Sequence, residues 1–573
     1  MEVLIENDVM APMRDGTRLA CDIYRPAGSG KRPTLLMRIP YGRARTNWGT
    51  LLFDADDALA RGYAVVVQDC RGTTGSEGVF APIVQERDDG HDAIRWVADQ
   101  SWCDGAIGMW GGSYMGLTAL QAAVDGPPQL KAVIAYVTGG DYQENWGRTG
   151  GVLEFGFNLR WSLDQAAAQL TRPSHGLSPE QVQAIRAEVE GFWRSPREFL
   201  ARSLDVRAVA PVSAKVVGLL ERFADADEDD PFWASVSPLA GAARISAPVL
   251  SIAGLQDGME TSMIALHNAL VEGGDPRWRK DHRLVIGPWD HQSYLSVVTA
   301  MTSGARTFGR DAMGGRVGLR GMALDWFDTW LKGADPGAAT AAPVRYYMQG
   351  LNRWETAQRW PPRTQARRWR LSSGGRANTR SGDGVLTLAA AGAEPPDSYA
   401  YDPRDPAPTV GGRGLLYPHT PGGIQEQSRL EDRADVLVYT SAILTQAVEV
   451  RGRVTLELHV STSAPTTDFV ATLVDVDPAG DAWGVADGIQ RIRRDGVAEE
   501  TMRVTVDLGD AAYRFEAGHR IRAHVTSSSF PRFERNRNVG RDAAPDAFQV
   551  AYQQVFHDAE RPSALILPVT PTS

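Results

Sequence analysis

Up to about residue 143, short aliphatic runs alternate with longer stretches of helical period. The runs 34–41 (TLLMRIPY), 63–70 (YAVVVQDC), 106–112 (AIGMWGG) and 131–137 (KAVIAYV) are apolar at nearly every position, as strands buried on both faces are. Between them, 51–62 (LLFDADDALARG) and 84–100 (VQERDDGHDAIRWVADQ) fit helices better. Such alternation predicts a parallel sheet with crossover helices. The same grammar returns after residue 240 in 247–254 (APVLSIAG) and 282–289 (HRLVIGPW). It closes on a helix in which Leu319, Ala323, Trp326, Phe327, Trp330 and Leu331 share a face, with Gly333 and Pro336 as a stop signal.

Residues 144 to 240 interrupt this pattern. Ser178, Pro179 and Gln181 read as N-cap, first-turn proline and capping-box partner, and Ser195, Pro196 and Glu198 repeat the device. A helical insertion in an α/β sheet usually covers a site. From about residue 351 the helical period gives way to alternating apolar and polar residues, in 453–461, 468–477, 502–509 and 519–527. Regularly spaced short strands predict a β-sandwich of the jelly-roll type. The expected organisation is a hydrolase-like core (1–143 and 241–350), a helical cap (144–240) and a C-terminal jelly roll (351–573).

A chain of 573 residues is too long for one compact core, which agrees with several units. The formal net charge of −10 and the lack of a long basic run argue against nucleic acid or a membrane surface as a main partner. No apolar run approaches the roughly 20 residues of a membrane helix, and the first residues lack the pattern of a signal peptide. Cys21, Cys70 and Cys103 are odd in number and lack metal-type spacing. A cytoplasmic protein without cofactor or metal is expected, acting on a small molecule, with a homodimer left open.

The stretch GMWGGSYMG (108–116) sets Ser113 on a tight turn between a strand and a helix. A serine hydroxyl becomes a useful nucleophile when it is exposed, near a base, and near donors for the developing oxyanion. Gly111 and Gly112 are expected to allow the turn, and Gly116 to let the helix pack closely. The chain order of an α/β-hydrolase then asks for an acid and a histidine after later strands. Asp257 and His291 stand just beyond two of them, at the carboxyl ends where such sites form. Asp257 precedes Gly258 and could instead shape a turn. Asp290 is expected to point away from its neighbour His291.

The segments MRDGTRLACDIYRP, VVVQDCRGTTGSEGVF, WCDGAIGMWGGSYMG and VIGPWDHQ, with DGIQRIR and SSSFPRFERNRN later, resemble the cocaine esterase and X-prolyl dipeptidyl-peptidase family of serine hydrolases. The resemblance spans essentially the whole chain and implies an α/β-hydrolase core, a helical cap and a jelly roll. It explains the displaced glycine, because the family pattern is Gly-x-Ser-Tyr-x-Gly. It implies ester hydrolysis through an acyl-enzyme, with amide or peptide hydrolysis and a catalytically silent binding protein as alternatives. It implies an oxyanion hole from the Tyr41 hydroxyl and the Tyr114 N–H. It further implies an acyl pocket of Trp146, Trp161, Met259, Leu416 and Tyr417, and loop-organising roles for Arg71, Ser76 and Glu77. Trp161→Ala is expected to remove acyl preference while sparing acetate turnover. An exopeptidase would need carboxylates for a substrate ammonium, and Asp141, Glu144 and Glu154 are the candidates.

Overall fold

The computed structural model describes residues 2–43, 52–170, 172, 176–291, 300–335, 342–415, 420–494, 500–540 and 542–571. The first body is built on ten strands: β1 (Val3–Pro12), β2 (Arg18–Pro26), β3 (Arg32–Ile39), β4 (Ala64–Asp69), β5 (Cys103–Gly112), β6 (Leu130–Tyr136), β7 (Val249–Gln256), β8 (Arg283–Asp290), β9 (Val344–Met348) and β10 (Arg353–Ala357). They hydrogen-bond in the order β1-β2-β4-β3-β5-β6-β7-β8-β9-β10. From β4 to β9 every neighbour is parallel, and antiparallel strands close both edges.

The six central strands are the six aliphatic runs of the sequence. Every residue of β4 and β7 is buried. The edge strands had no such signature. β1 is largely exposed, and β10 extends the core sheet past the residue-350 boundary expected from the pattern. Helices α1 (Glu86–Ala98), α2 (Tyr114–Ala123), α5 (Glu260–Gly273) and α6 (Leu319–Lys332) flank this sheet. The first three bury Ile94, Leu120 and Leu266 against one face, and α6 buries Trp326 and Phe327 against the other. The Trp-rich helix is therefore a core element, ended by Gly333 in the left-handed region.

The insertion between β6 and β7 is helical, with α3 (Phe155–Gln169) and α4 (Pro179–Arg194) its longest members. Ser178 and Gln181 form the capping box read from the sequence. Ser195 makes no side-chain cap, because it is also the last turn of the preceding helix and its backbone is set by that exit. Among the described residues no helix is long and apolar enough to cross a membrane.

Beyond β10 the chain forms a β domain. Long strands such as Val448–Thr462, Thr466–Val476 and Met502–Phe515 pair antiparallel around a core that includes Leu456, Phe469 and Phe515. It contains a second serine–histidine–aspartate grouping. Ser373 Oγ donates to Asp397 Oδ2 (2.7 Å) and lies 3.1 Å from His557 Nε2. His557 Nε2 also donates to Asp397 (2.9 Å), while Nδ1 donates to Glu394 Oε2 (2.7 Å). With both nitrogens facing carboxylates the imidazole is held as a cation, so it has no lone pair to accept the Ser373 proton. The grouping is a staple and not a catalytic relay.

Burial opposes the charge on His557, but the hydrogen bond and charge of Asp397, then those of Glu394, outweigh it and raise its pKa. A raised histidine pKa stabilises the fold fully below about pH 6.5, the ordinary imidazole value, and that contribution is lost as pH rises through the folded value. Unfolding free energy from urea melts should therefore fall as pH rises above about 6.5, with a shallower slope for His557→Gln. Parallel slopes for the two proteins would remove His557 from this account.

Candidate active site

β5 delivers Ser113 to the carboxyl end of the sheet, and α2 begins at the next residue. Ser113 has φ 54° and ψ −126°, a conformation that costs energy for any residue with a Cβ. Its N–H donates to Tyr136 O of β6 (3.1 Å), and its carbonyl accepts from Leu117 N (3.0 Å). Gly116 serves close packing as expected, whereas Gly111 does so in place of the turn role read for it. The turn's left-handed backbone belongs to Ser113 itself, whereas a Cβ on Gly111 would stand 2.3 Å from the carbonyl carbon of Met115. A Cβ on Gly116 would stand 2.8 Å from Gly111 O. These residues give room for α2 to cross the strand closely.

Asp257 and His291 follow β7 and β8, two and three strands away from β5. Ser113 Oγ lies 3.0 Å from His291 Nε2, and His291 Nδ1 donates to Asp257 Oδ2 (2.9 Å). Asp257 is fully buried, and its other oxygen accepts from Met259 N (2.7 Å). One carboxylate thus shapes its own turn and faces the histidine, so the two readings of Asp257 are both satisfied. Asp290 turns elsewhere, accepting from Ser303 Oγ (3.2 Å) and Gly304 N (3.4 Å).

The first residue of α2, Tyr114, is anchored through its side chain. Its hydroxyl accepts from Ile83 N (2.8 Å) and donates to Glu86 Oε1 (3.0 Å). Glu86 in turn pairs with the fully buried Arg38 at 2.8 Å. Burial, then the nearby Glu86 charge, pushes the Tyr114 phenol well up, so it stays a donor. The Tyr114 main-chain N–H lies at the helix start, where no preceding turn supplies a carbonyl. Residues of the 71–77 loop hold its shape. Arg71 pairs with Asp89 and Asp15, Ser76 Oγ donates to Asp69 O, and Glu77 pairs with Arg18.

An aromatic cluster packs on Tyr114. Trp161 of α3 stacks on Tyr114 with centroids 5.8 Å apart and planes at 10°. Trp146 meets Tyr114 edge-on at 6.2 Å, and Met259 is buried in the same cluster. Trp161 Nε1 donates to Tyr41 Oη (3.2 Å), which ties the cap to the loop after β3. Leu416 and Tyr417 lie outside the described residues. Phe80, not expected here, packs on both Trp161 (6.2 Å) and Tyr114 (6.1 Å). It ends the VVVQDCRGTTGSEGVF segment. Among the described residues no three His, Cys, Asp or Glu side chains are placed to hold a metal ion.

The model of the X-Pro dipeptidyl-peptidase (S15 family) matches residues 15–293, and that of the X-Pro dipeptidyl-peptidase C-terminal non-catalytic domain matches 336–566. Cocaine esterase of Rhodococcus sp. (strain MB1 Bresler) is 35% identical over 99% of this chain and 98% of its own. The chain belongs to the S15 family. Among solved structures, an α-amino acid ester hydrolase superposes with TM-score 0.77 at 25% identity, covering 99% of this chain and 97% of the other. An aminopeptidase from a marine sediment Thaumarchaeota archaeon superposes with TM-score 0.81 at 24% identity, covering 100% and 97%, and shares the fold.

In this S15 chain one of the three candidate ammonium-binding carboxylates is already paired. Glu154, at the start of α3, accepts from Arg532 Nη2 (3.0 Å) and Thr149 Oγ1 (2.8 Å), and Arg532 also pairs with Asp487 of the β domain. The Glu154 charge is therefore neutralised in a buried bridge between cap and β domain. Asp141 and Glu144 line a separate cavity of about 290 Å³ that also contains Arg413, Arg453 and Arg532. Removing one partner of a buried pair leaves the other uncompensated. Glu154→Ala should lower unfolding free energy by on the order of 3 kcal/mol in urea melts. An unchanged midpoint would mean that Asp487 alone satisfies Arg532.

Proposed function

We propose that this protein is a serine esterase that cleaves small-molecule carboxylic esters through an acyl-enzyme. The observation that carries this reading is the hydrogen-bonded sequence Ser113–His291–Asp257 on the strained turn after β5. Membership of the S15 family and the 35% identity to cocaine esterase support it. His291 Nε2 takes the Ser113 proton as Oγ attacks the ester carbonyl, and Asp257 holds Nδ1 protonated and stabilises the imidazolium. The carbonyl oxygen gains charge facing the Tyr114 N–H and the Tyr41 hydroxyl. Collapse breaks the ester bond, and the leaving alcohol takes the proton from His291. Water, deprotonated by the same nitrogen, then releases the acid and restores Ser113.

The hydroxyl of Tyr41 has one proton, and Trp161 Nε1–H occupies an acceptor site on its oxygen. That bond leaves the proton for a different acceptor and orients it. Trp161 is thus a wall of the acyl pocket and a positioning residue for the oxyanion donor. The expectation that Trp161→Ala spares acetate is revised accordingly. Glu154, committed to Arg532, removes one group an exopeptidase would need, which favours ester over free-amine substrates. We read the β domain as a jelly roll. The unpaired, buried Cys21, Cys70 and Cys103 suit a reducing compartment, which supports a cytoplasmic location.

Ser113→Ala should abolish fluorophosphonate labelling and lower turnover of 4-nitrophenyl butyrate by on the order of 10⁶. His291→Ala should do nearly as much, Asp257→Asn should also be severely impaired, and the Ser113/His291 double variant should be little worse than either single. Multiplying losses would break the assignment of one relay. Tyr41→Phe should lower kcat roughly 10²–10³-fold with KM little changed.

Trp161→Phe keeps an aromatic ring beside Tyr114 while removing the N–H together with part of the indole. It should lower kcat by about tenfold or less, equally for acetate and benzoate esters. Loss restricted to bulky acyl groups would confine Trp161 to the pocket wall. Butyrate esters should exceed acetates in kcat/KM, each buried methylene adding about 0.8 kcal/mol at most. Equal kcat/KM values would place the cluster outside the acyl path.

A further inference from the structure

On the side of the core sheet opposite Ser113, where β7, β8 and β9 begin, lies a cavity of about 540 Å³. Its walls are the last turns of α5, the segment entering β8, Pro343 ahead of β9, and residues 358–364 after β10. This volume falls within the range of small-molecule sites.

The chemistry of the lining is one-sided. Arg279, Lys280, Arg359 and Arg363 line the cavity against Glu272, with Asp275 just outside the lining and close enough to act on Arg279 and His282. Among the described residues none of the four cations takes part in a salt bridge, although the chain as a whole carries a net charge of −10. The floor holds two buried histidines, His267 and His282. His282 Nδ1 accepts from Val249 N (3.1 Å), so its proton resides on Nε2, a donor. His267 is 2% exposed, and its Nδ1 has no hydrogen-bond partner. Buried polar atoms are normally satisfied, so this cavity-lining histidine has hydrogen-bonding capacity to spare.

Burial holds the His267 imidazole down at about 3, helped by His282 and Arg283. Burial and Arg283 hold His282 at about 4. The floor thus supplies neutral polar groups and the rim supplies the charge. The carbonyl end of α5, which would repel an anion, is covered where Arg279 Nε donates to Gly274 O (2.6 Å). Trp360 and Pro361 add an apolar side to the cavity.

We infer that this cavity binds a small molecule bearing a multivalent oxyanion, a phosphate or polycarboxylate, held by the rim cations above His267 and His282. It is separate from the ester site, and its occupant ties the core to the chain segment that leads into the β domain.

The test is isothermal titration of the full chain with sodium pyrophosphate and, separately, with citrate, at an ionic strength fixed by chloride. One saturable site is expected for at least one of them. Tighter pyrophosphate assigns phosphate chemistry, and tighter citrate assigns polycarboxylate. The double substitution Arg359→Gln with Arg363→Gln should weaken binding about tenfold for each charge-assisted hydrogen bond removed. It should leave 4-nitrophenyl butyrate turnover and the melting temperature unchanged. His267→Gln should weaken binding as well, as a check on the floor. No saturable binding to the wild-type chain, or equal affinity in the double variant, would overturn the site whatever the outcome at Ser113.

Discussion

The guanidinium of Arg532 is buried between Glu154 of the cap and Asp487 of the β domain, and the geometry around Ser113 depends on that bridge. Glu154 immediately precedes α3, the helix that carries Trp161. One N–H in the first turn of that helix is engaged by the same loop, since Gly156 N is shared between the carbonyls of Pro531 (3.0 Å) and Arg532 (3.2 Å). A second arginine does the equivalent for the acid. Arg413 donates to Leu255 O (3.2 Å) within β7 and to Leu508 O and Asp510 O in the β domain. Buried ion pairs contribute little net stability once desolvation is counted, but they tolerate few alternative arrangements. Their role here is registry: they place one body's side chains against another's.

The turn at Ser113 shows the converse, a local cost offset by its surroundings. A non-glycine residue with φ 54° persists because the Tyr136 carbonyl, the first turn of α2 and the Tyr114–Glu86–Arg38 chain below it leave no relaxed alternative. The same chain keeps a charge buried in order to fix one phenol. Strain above and ionic anchoring beneath hold the elbow between strand and helix.

Much of this was legible in the sequence, for identifiable reasons. Doubly buried strands have to be aliphatic throughout, so the six central strands declared themselves. Strand-end positions for Asp257 and His291 followed from chain order. Edge strands β1 and β10 carry no comparable constraint, because one face or edge meets solvent, and they went unrecognised. Close packing at Gly116 was read correctly, but Gly111 was taken for a turn residue, since its contact with Met115 appears only in three dimensions. Long-range polar partners were the least legible. Nothing around Glu154 or Arg532 signals that residues 378 positions apart share a hydrogen bond. The Trp161–Tyr41 contact, 120 residues apart, was likewise invisible, although both residues had been singled out separately.

That contact bears on how such a protein could diverge. On the proposed mechanism, one indole both walls the acyl pocket and holds the Tyr41 hydroxyl in a hydrogen bond. Shape selectivity and catalytic power are therefore inherited through a single codon, and any replacement of Trp161 trades in both at once. Adaptation to new acyl groups is freer at Met259 or Trp146, which shape the same cluster without gripping Tyr41 in a hydrogen bond. Lineages changing substrate would then vary at those positions first, with the tryptophan of α3 as the slowest to move.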